Sequence, residues 1–258
     1  MKRIMLTVAY DGTAYCGWQK QPTGLSVEEV LAGALEKLLG EEIRLLGVSR
    51  TDSGVHAKGN LCVFDTETLI PPEKLCFAVN ERLPEDIVVR KSEEVPADFH
   101  PRKCDSLKTN EYTVYRDRIP DPLERRTSYF FYRRLDVEAM RAAAVFLVGE
   151  HDFASFCSAR SQAESTVRRI TELSIREAGK KLVFRVQGTG FLYNMVRIIA
   201  GTLLRVGVGF WPPEKVPEIL AAKDRQAAGP KVPGHGLCLM EIRLFPEGFP
   251  EELKETWK

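Results

Sequence analysis

The stretch Gly47-Val48-Ser49-Arg50-Thr51-Asp52-Ser53-Gly54-Val55-His56-Ala57-Lys58-Gly59-Asn60 packs an arginine, a carboxylate, a histidine and three glycines into fourteen residues. It lies between two runs with strand character, Glu42 to Leu46 and Leu61 to Asp65. A connection of this composition between strands is a usual seat of chemistry, because the loop aims side chains while the sheet holds its ends. Gly54 and Gly59 point to backbone closed to other residues, or to backbone that must approach a ligand. Asp52, set between Arg50 and Gly54, has two readings. It either caps its own turn as an Asx residue or presents a carboxylate out of the sheet.

Outward from this loop, Ile4, Leu6, Val8 and Tyr10 alternate with more polar positions, which predicts a half-buried strand ended by Asp11-Gly12. Ser26 and Glu29 form a capping box. Val27, Val30, Leu31, Ala34, Leu35, Leu38 and Leu39 then follow the helical period up to Gly40. Pro72 to Glu81 reads as a short helix and Ile87 to Arg90 as a strand, so the first half is β-α-β-loop-β-α-β. The second half repeats that order. Tyr112 to Arg116 is a strand, and Asp136 caps a helix carrying Val137, Met140, Ala144 and Leu147. Strands Val167 to Ile175 and Lys181 to Gln187 follow, then the helix Phe191 to Val206, a second helix after Pro213, and a closing strand Leu237 to Leu244. Two such halves specify an α+β protein with a long mixed sheet. The expected division is 1–104, holding the loop above, then 105–245, then a tail 246–258.

The helix Phe191 to Val206 is apolar except for Asn194, Arg197, Gly201 and Arg205, which recur at three- and four-residue spacing as one polar stripe. Arg197 on that stripe needs an anionic partner if the helix is buried, with Asp52 a candidate; otherwise it snorkels to the surface.

The 258 residues carry a formal net charge of +1, so no global positive field announces nucleic acid and any RNA contact must be a local patch. Arg125-Arg126, Arg133-Arg134, Arg168-Arg169 and Lys180-Lys181 supply candidate phosphate contacts. Six scattered cysteines with no Cys-x-x-Cys spacing exclude a standard zinc site and fit a reducing compartment. The N-terminus has no signal-peptide core, and the longest apolar candidate, Met195 to Phe210, is broken by Arg197 and Arg205. A soluble, cytoplasmic protein without a membrane contact is expected. Trp18 and Tyr15, beside Gln19 and Lys20, are candidates to stack on bases, and for Trp18 a core anchor is the favoured alternative.

Arg50-Thr51-Asp52-Ser53-Gly54-Val55-His56 closely resembles the Arg-Thr-Asp-Ala-Gly-Val-His signature of the TruA family of tRNA pseudouridine synthases. The resemblance runs from about residue 3 to 244. Tyr10-Asp11-Gly12 with Gly17-Trp18-Gln19, Leu83-Pro84 with Asp86-Ile87, Asp98-Phe99-His100 with Arg102, and Gly190 to Arg197 all match family stretches. It implies a pseudouridine-synthase-like fold of two ferredoxin-like halves meeting at a central cleft. The implied substrate is uridine at positions 38, 39 and 40 of the tRNA anticodon stem-loop, flipped out of its stack to be reached. Asp52 would be the catalytic residue, attacking C1′ or removing the C2′ proton, with Arg197 pairing with it. Arg50 would occupy the vacated stack or hold phosphate, and Asn110 and Tyr112 would stand at the Tyr-x-Tyr that faces the base. His56 is counted with these substrate-binding residues, and the lack of shared spacing among the four histidines favours a loop-holding role for it over a metal ligand. No cofactor or metal is implied, and a homodimer is.

Ser49 and Ser53 are small departures from the family's Gly and Ala, and two further departures matter more. Asn110 replaces the first tyrosine, and an amide neither stacks on uracil as a phenol does nor shares its weak acidity. Gly236-Leu237-Cys238-Leu239 replaces Gly-Leu-Tyr-Leu. The alternative function is therefore a catalytically weakened paralogue that grips structured RNA. A hydrolase built on Cys157 has no adjacent histidine motif behind it.

Overall fold

The computed structural model describes residues 1–22, 24–158 and 163–257. The last residue of the expected tail therefore lies outside the described residues. The chain is α+β and divides into two compact units, Met1–Asp105 with Cys238–Gly248, and Ser106–Leu237 with Phe249–Lys258.

In the first unit, β1 (Lys2–Tyr10) buries Ile4, Leu6, Val8 and Tyr10 in strict alternation. α1 (Val27–Leu39) starts at the expected capping box. Ser26 Oγ accepts from Glu29 N at 3.2 Å, and the Glu29 carboxylate accepts from Ser26 N at 3.2 Å. Gly40, in the left-handed region at φ 70°, ends it. β2 (Leu46–Gly47), β3 (His56–Thr66), α2 (Pro72–Asn80) and β4 (Ile87–Val95) follow. β3 and β4 both run antiparallel to β1, and β2 runs antiparallel to β3, giving the order β4-β1-β3-β2. That order is the ferredoxin-like arrangement of a β-α-β-β-α-β chain.

Several boundaries differ from expectation. β4 runs on to Val95 past the expected Arg90, the strand expected from Tyr112 starts at Asp105, the helix expected from Phe191 starts at Met195, and two more differ beside the signature. The strand expected over Glu42 to Leu46 contracts to Leu46–Gly47, and the Ile43 amide before it donates to the Glu36 carboxylate at 3.3 Å instead of to a neighbouring strand. β3 begins five residues before the expected Leu61, at His56, so the second half of the signature is strand and not loop.

In the second unit, β5 (Asp105–Arg116) is followed by β6 (Tyr129–Phe131), α3 (Val137–Val145), β7 (Gly149–Asp152), β8 (Val167–Ala178) and β9 (Lys181–Gly188). α4 (Met195–Gly207) and α5 (Lys215–Ala222) come next. The sheet order is β5-β9-β8-β7, antiparallel throughout, with β6 parallel to the end of β5. Asp136 caps α3 as expected, accepting from Ala139 N at 3.0 Å. α3 packs tightly on α4, since a β-carbon on Gly207 would lie 2.4 Å from the Met140 sulfur. β10 (Leu237–Phe245) and α6 (Glu251–Glu255) complete the chain. β10 lies parallel to β3, with Cys238 opposite His56 and Leu239 opposite Ala57. Gly59 is the point of close approach, where a β-carbon would sit 3.0 Å from the Met240 carbonyl oxygen.

Candidate active site

Asp52 lies half-buried on a loop fastened along its length to the segment after β1. Gly17 and Asp52 form an antiparallel bridge, Trp18 N donates to Thr51 O at 3.1 Å, and Gly54 N donates to Tyr15 O at 3.2 Å. Val55 N donates to Asp52 O at 3.1 Å and closes the turn, which needs the positive φ of 75° at Gly54. Upstream, Tyr10 Oη and Thr51 Oγ1 are 2.7 Å apart, and Asn60 Nδ2 donates to both Tyr10 Oη at 3.2 Å and Ser49 O at 3.0 Å. Burial pushes the Tyr10 hydroxyl well above the ordinary phenol range, so it remains a neutral strut. The carboxylate therefore rides on a frame with few soft torsions. Arg50, two residues earlier, is exposed.

His56 is buried at the start of β3 and holds the other side of this frame. Its Nδ1 accepts from Gly12 N at 3.0 Å and lies 3.1 Å from Asp11 Oδ1, so the Asp11-Gly12 turn is keyed to the signature. A β-carbon at Gly12 would fall 2.0 Å from the Val55 carbonyl oxygen, which explains the glycine. Trp18 settles to the core reading. It is 1% exposed, tilted against Tyr10 at 6.0 Å, and its Nε1 has no hydrogen-bond partner among the described residues. Tyr15 is also buried, donating to Asp86 Oδ1 at 2.6 Å.

Asn110, Tyr112 and Arg197 belong to the second unit. Asn110 and Tyr112 share one face of β5, opposite Val186 and Phe184, with no register shift between them. Asn110 is buried, and Tyr112 is fully so. Tyr112 Oη donates to Pro233 O at 2.9 Å, and a β-carbon on Gly236 would fall 2.7 Å from its ring. Burial raises the Tyr112 hydroxyl far above its ordinary range, with the Arg197 charge pulling it partly back.

Arg197 is only 8% exposed on α4, so the snorkelling alternative is set aside. Its Nε donates to Val232 O and its Nη1 to Asn194 Oδ1, both at 2.8 Å. Tyr112 and Arg197 thus grip adjacent carbonyls of one segment, 229–233, which sequence reading did not single out. That segment is pressed onto α4. Gly229 N donates to Thr202 Oγ1 at 2.9 Å, and a β-carbon on Gly201 would strike the Pro230 carbonyl oxygen at 1.8 Å. Its signal in the sequence is the Gly-Pro-Lys-Val-Pro run, too rich in breakers to be helix or strand.

Among the described residues no group of three or more His, Cys, Asp or Glu is arranged to hold a metal ion. Cys157 is buried, its sulfur directed at the Ser158 carbonyl oxygen. Of the basic pairs, Lys180 bonds Asp117, Lys181 bonds Glu124, and Arg169 bonds Glu150 and lies 5.6 Å from the Trp257 ring centroid. Arg133 and Arg134 are exposed.

A model of the tRNA pseudouridine synthase family matches residues 6–102 and 143–244. A tRNA pseudouridine synthase A of Clostridium acetobutylicum is 47% identical over 242 residues, covering 94% of this chain and 99% of that protein. The Geotalea daltonii protein of the same name is 44% identical over the same span and coverage. Among solved structures, the archaeal box H/ACA sRNP Nop10–Cbf5 complex aligns at a TM-score of 0.35 and 14% identity, covering 97% of this chain and 52% of that one.

Proposed function

Since the chain belongs to the tRNA pseudouridine synthase family, we propose that it isomerises uridine to pseudouridine in the anticodon stem-loop of tRNA, at positions 38, 39 and 40. The observation that carries this reading is the placement of Asp52, half-buried on a loop tied to Tyr10, Tyr15, Gly17 and Trp18. Asp52 acts on the ribose of the flipped nucleotide, by attack on C1′ or by removal of the C2′ proton. The N1–C1′ bond breaks, the uracil turns, and a C5–C1′ bond forms, displacing Asp52 from C1′ in the first route and returning the proton from Asp52 to C2′ in the second. The C5 proton leaves and N1 gains one, so the product is an isomer and no redox partner or second substrate is consumed.

Both routes need an ionised carboxylate and produce an anionic uracil. Arg197 supplies the positive charge suited to both, its Nε donating to Val232 O and its Nη1 to Asn194 Oδ1. The exposed Arg50 contacts phosphate or fills the gap left by the flipped base. His56 fastens the loop to the Asp11-Gly12 turn, Tyr112 holds the 229–233 segment, and Asn110 meets the base through its amide. The protein works in the cytoplasm as a homodimer. No helix among the described residues is long and apolar enough to cross a membrane.

A second reading, a paralogue that binds structured RNA with weakened chemistry, is favoured by one observation, the buried amide of Asn110 where the family has an aromatic. Incubation with an unmodified tRNA transcript, followed by pseudouridine mapping, tests the first reading. Product confined to 38–40 supports it, and product elsewhere contradicts the assigned positions. Binding without product, with turnover restored by Asn110→Tyr, establishes the second. Base–aromatic stacking of about 1–3 kcal/mol is the contribution at stake in that exchange.

A further inference from the structure

We propose that Asn194 is a positioning residue for the reaction, setting the direction of the Arg197 guanidinium without neutralising its charge. The proposal rests on the reading of Arg197 given above. Asn194 stands at the N-cap of α4, where an asparagine ordinarily accepts a hydrogen bond from an amide of the first turn. Here it makes no such bond, and its backbone lies in the left-handed region, at φ 62° and ψ 9°. Asparagine is among the few residues that tolerate that region, and it costs most others about 1 kcal/mol or more.

The amide serves two other partners instead. Its Oδ1 accepts from Arg197 Nη1 at 2.8 Å, and its Nδ2 donates to Ser158 Oγ at 2.9 Å. Ser158 N in turn donates to Tyr193 O at 3.2 Å, so Ser158 clamps both the peptide before Asn194 and its side chain. Only one orientation of the amide satisfies this arrangement, because reversing it would set an N–H donor against the guanidinium. With Nε on Val232 O and Nη1 on Asn194 Oδ1, two separate edges of the guanidinium are fixed, which determines its plane. Both acceptors are neutral oxygens. Aspartate at 194 would keep the acceptor and cancel the charge, while glycine would keep the left-handed backbone and lose the acceptor.

The test is steady-state kinetics on an unmodified tRNA transcript for Asn194→Gly, Asn194→Asp and Ser158→Ala, each also made in an Arg197→Lys background, with thermal melts of every variant. A displaced charge of this kind costs up to about 100-fold. Asn194→Gly and Asn194→Asp should lower kcat about 10- to 100-fold with KM within about 3-fold of wild type. In the Arg197→Lys background the same changes should add little, because the residue acts through the guanidinium. Should Asn194→Gly fold poorly, Ser158→Ala carries the test, with a smaller fall in kcat and the same non-additivity. Unchanged kcat in the foldable variants, or an undiminished penalty in the Arg197→Lys background, overturns the proposal. Wild-type kcat in Arg197→Lys alone is a different failure, that of the parent reading, and the single variant identifies it.

Discussion

Gly17 lies against Thr51 so closely that a β-carbon at 17 would sit 2.4 Å from the Thr51 carbonyl oxygen. Its φ of 113° is also one that side chains avoid. Gly17→Ala is therefore expected to destabilise the protein by about 2–4 kcal/mol and to lower turnover through displacement of the Asp52 loop. Gly33, inside α1 with open space around its α-carbon, is the contrast. Gly33→Ala should stabilise by about 0.5–1 kcal/mol and leave turnover unchanged. Denaturant melts and initial rates on the two variants check both outcomes.

Arg3 grips Asp65 with two bonds, Nε to Oδ1 at 2.8 Å and Nη2 to Oδ2 at 2.7 Å, while its Nη1 donates to Phe99 O at 2.8 Å. The bond from Arg3 holds the Asp65 carboxyl below its usual range. A lowered folded pKa contributes stability that is complete above the ordinary carboxylate range, near about 4, and is lost as pH falls through the folded value. The Asp65 side chain is 36% exposed, so solvent screening limits the contribution to about 0.5–1 kcal/mol. Asp65→Asn should lower the melting temperature at neutral pH and reduce its dependence on acid. An unchanged acid limb in the variant would count against this pairing.

Arg133 and Arg134 are exposed, whereas Lys180 and Lys181 are engaged by Asp117 and Glu124. Replacing both arginines by alanine should weaken tRNA binding and flatten log Kd against log salt by about one unit for each phosphate no longer neutralised. Replacing both lysines should change neither quantity measurably. Filter binding across a salt series separates the two cases, and equal effects from both pairs would contradict the assignment.

Much of the fold is legible in the sequence because the relevant signals are local. Alternation marks β1, the Ser26–Glu29 box marks the start of α1, and Asp136 marks α3. The early start of β3 is not legible, because its first residues are strand by virtue of partners far along the chain, Tyr10 on one side and Cys238 and Leu239 on the other, while Lys58-Gly59 lowers their own propensity. β7 is four residues containing Gly149 and Asp152, and only its pairing with β8 makes it a strand. At the candidate site, Arg50, Asp52 and His56 stand out because they cluster in sequence, and Arg197 because a buried charge on a largely apolar helix demands a reason. The burial of Tyr112 under Gly236 and the left-handed backbone of Asn194 follow from packing that no local pattern encodes.

The account turns on the Asp52 carboxylate, and Asp52→Asn removes its charge while keeping its shape. The decisive measurement is pseudouridine formed in an unmodified tRNA transcript by wild type and by Asp52→Asn, with Kd for the same transcript measured alongside. The account predicts product from wild type, loss of about 10³-fold or more in the variant, and Kd within about 3-fold, since a missing reacting group removes the chemical step and not ground-state binding. An Asp52→Asn protein that forms pseudouridine at the wild-type rate would contradict it.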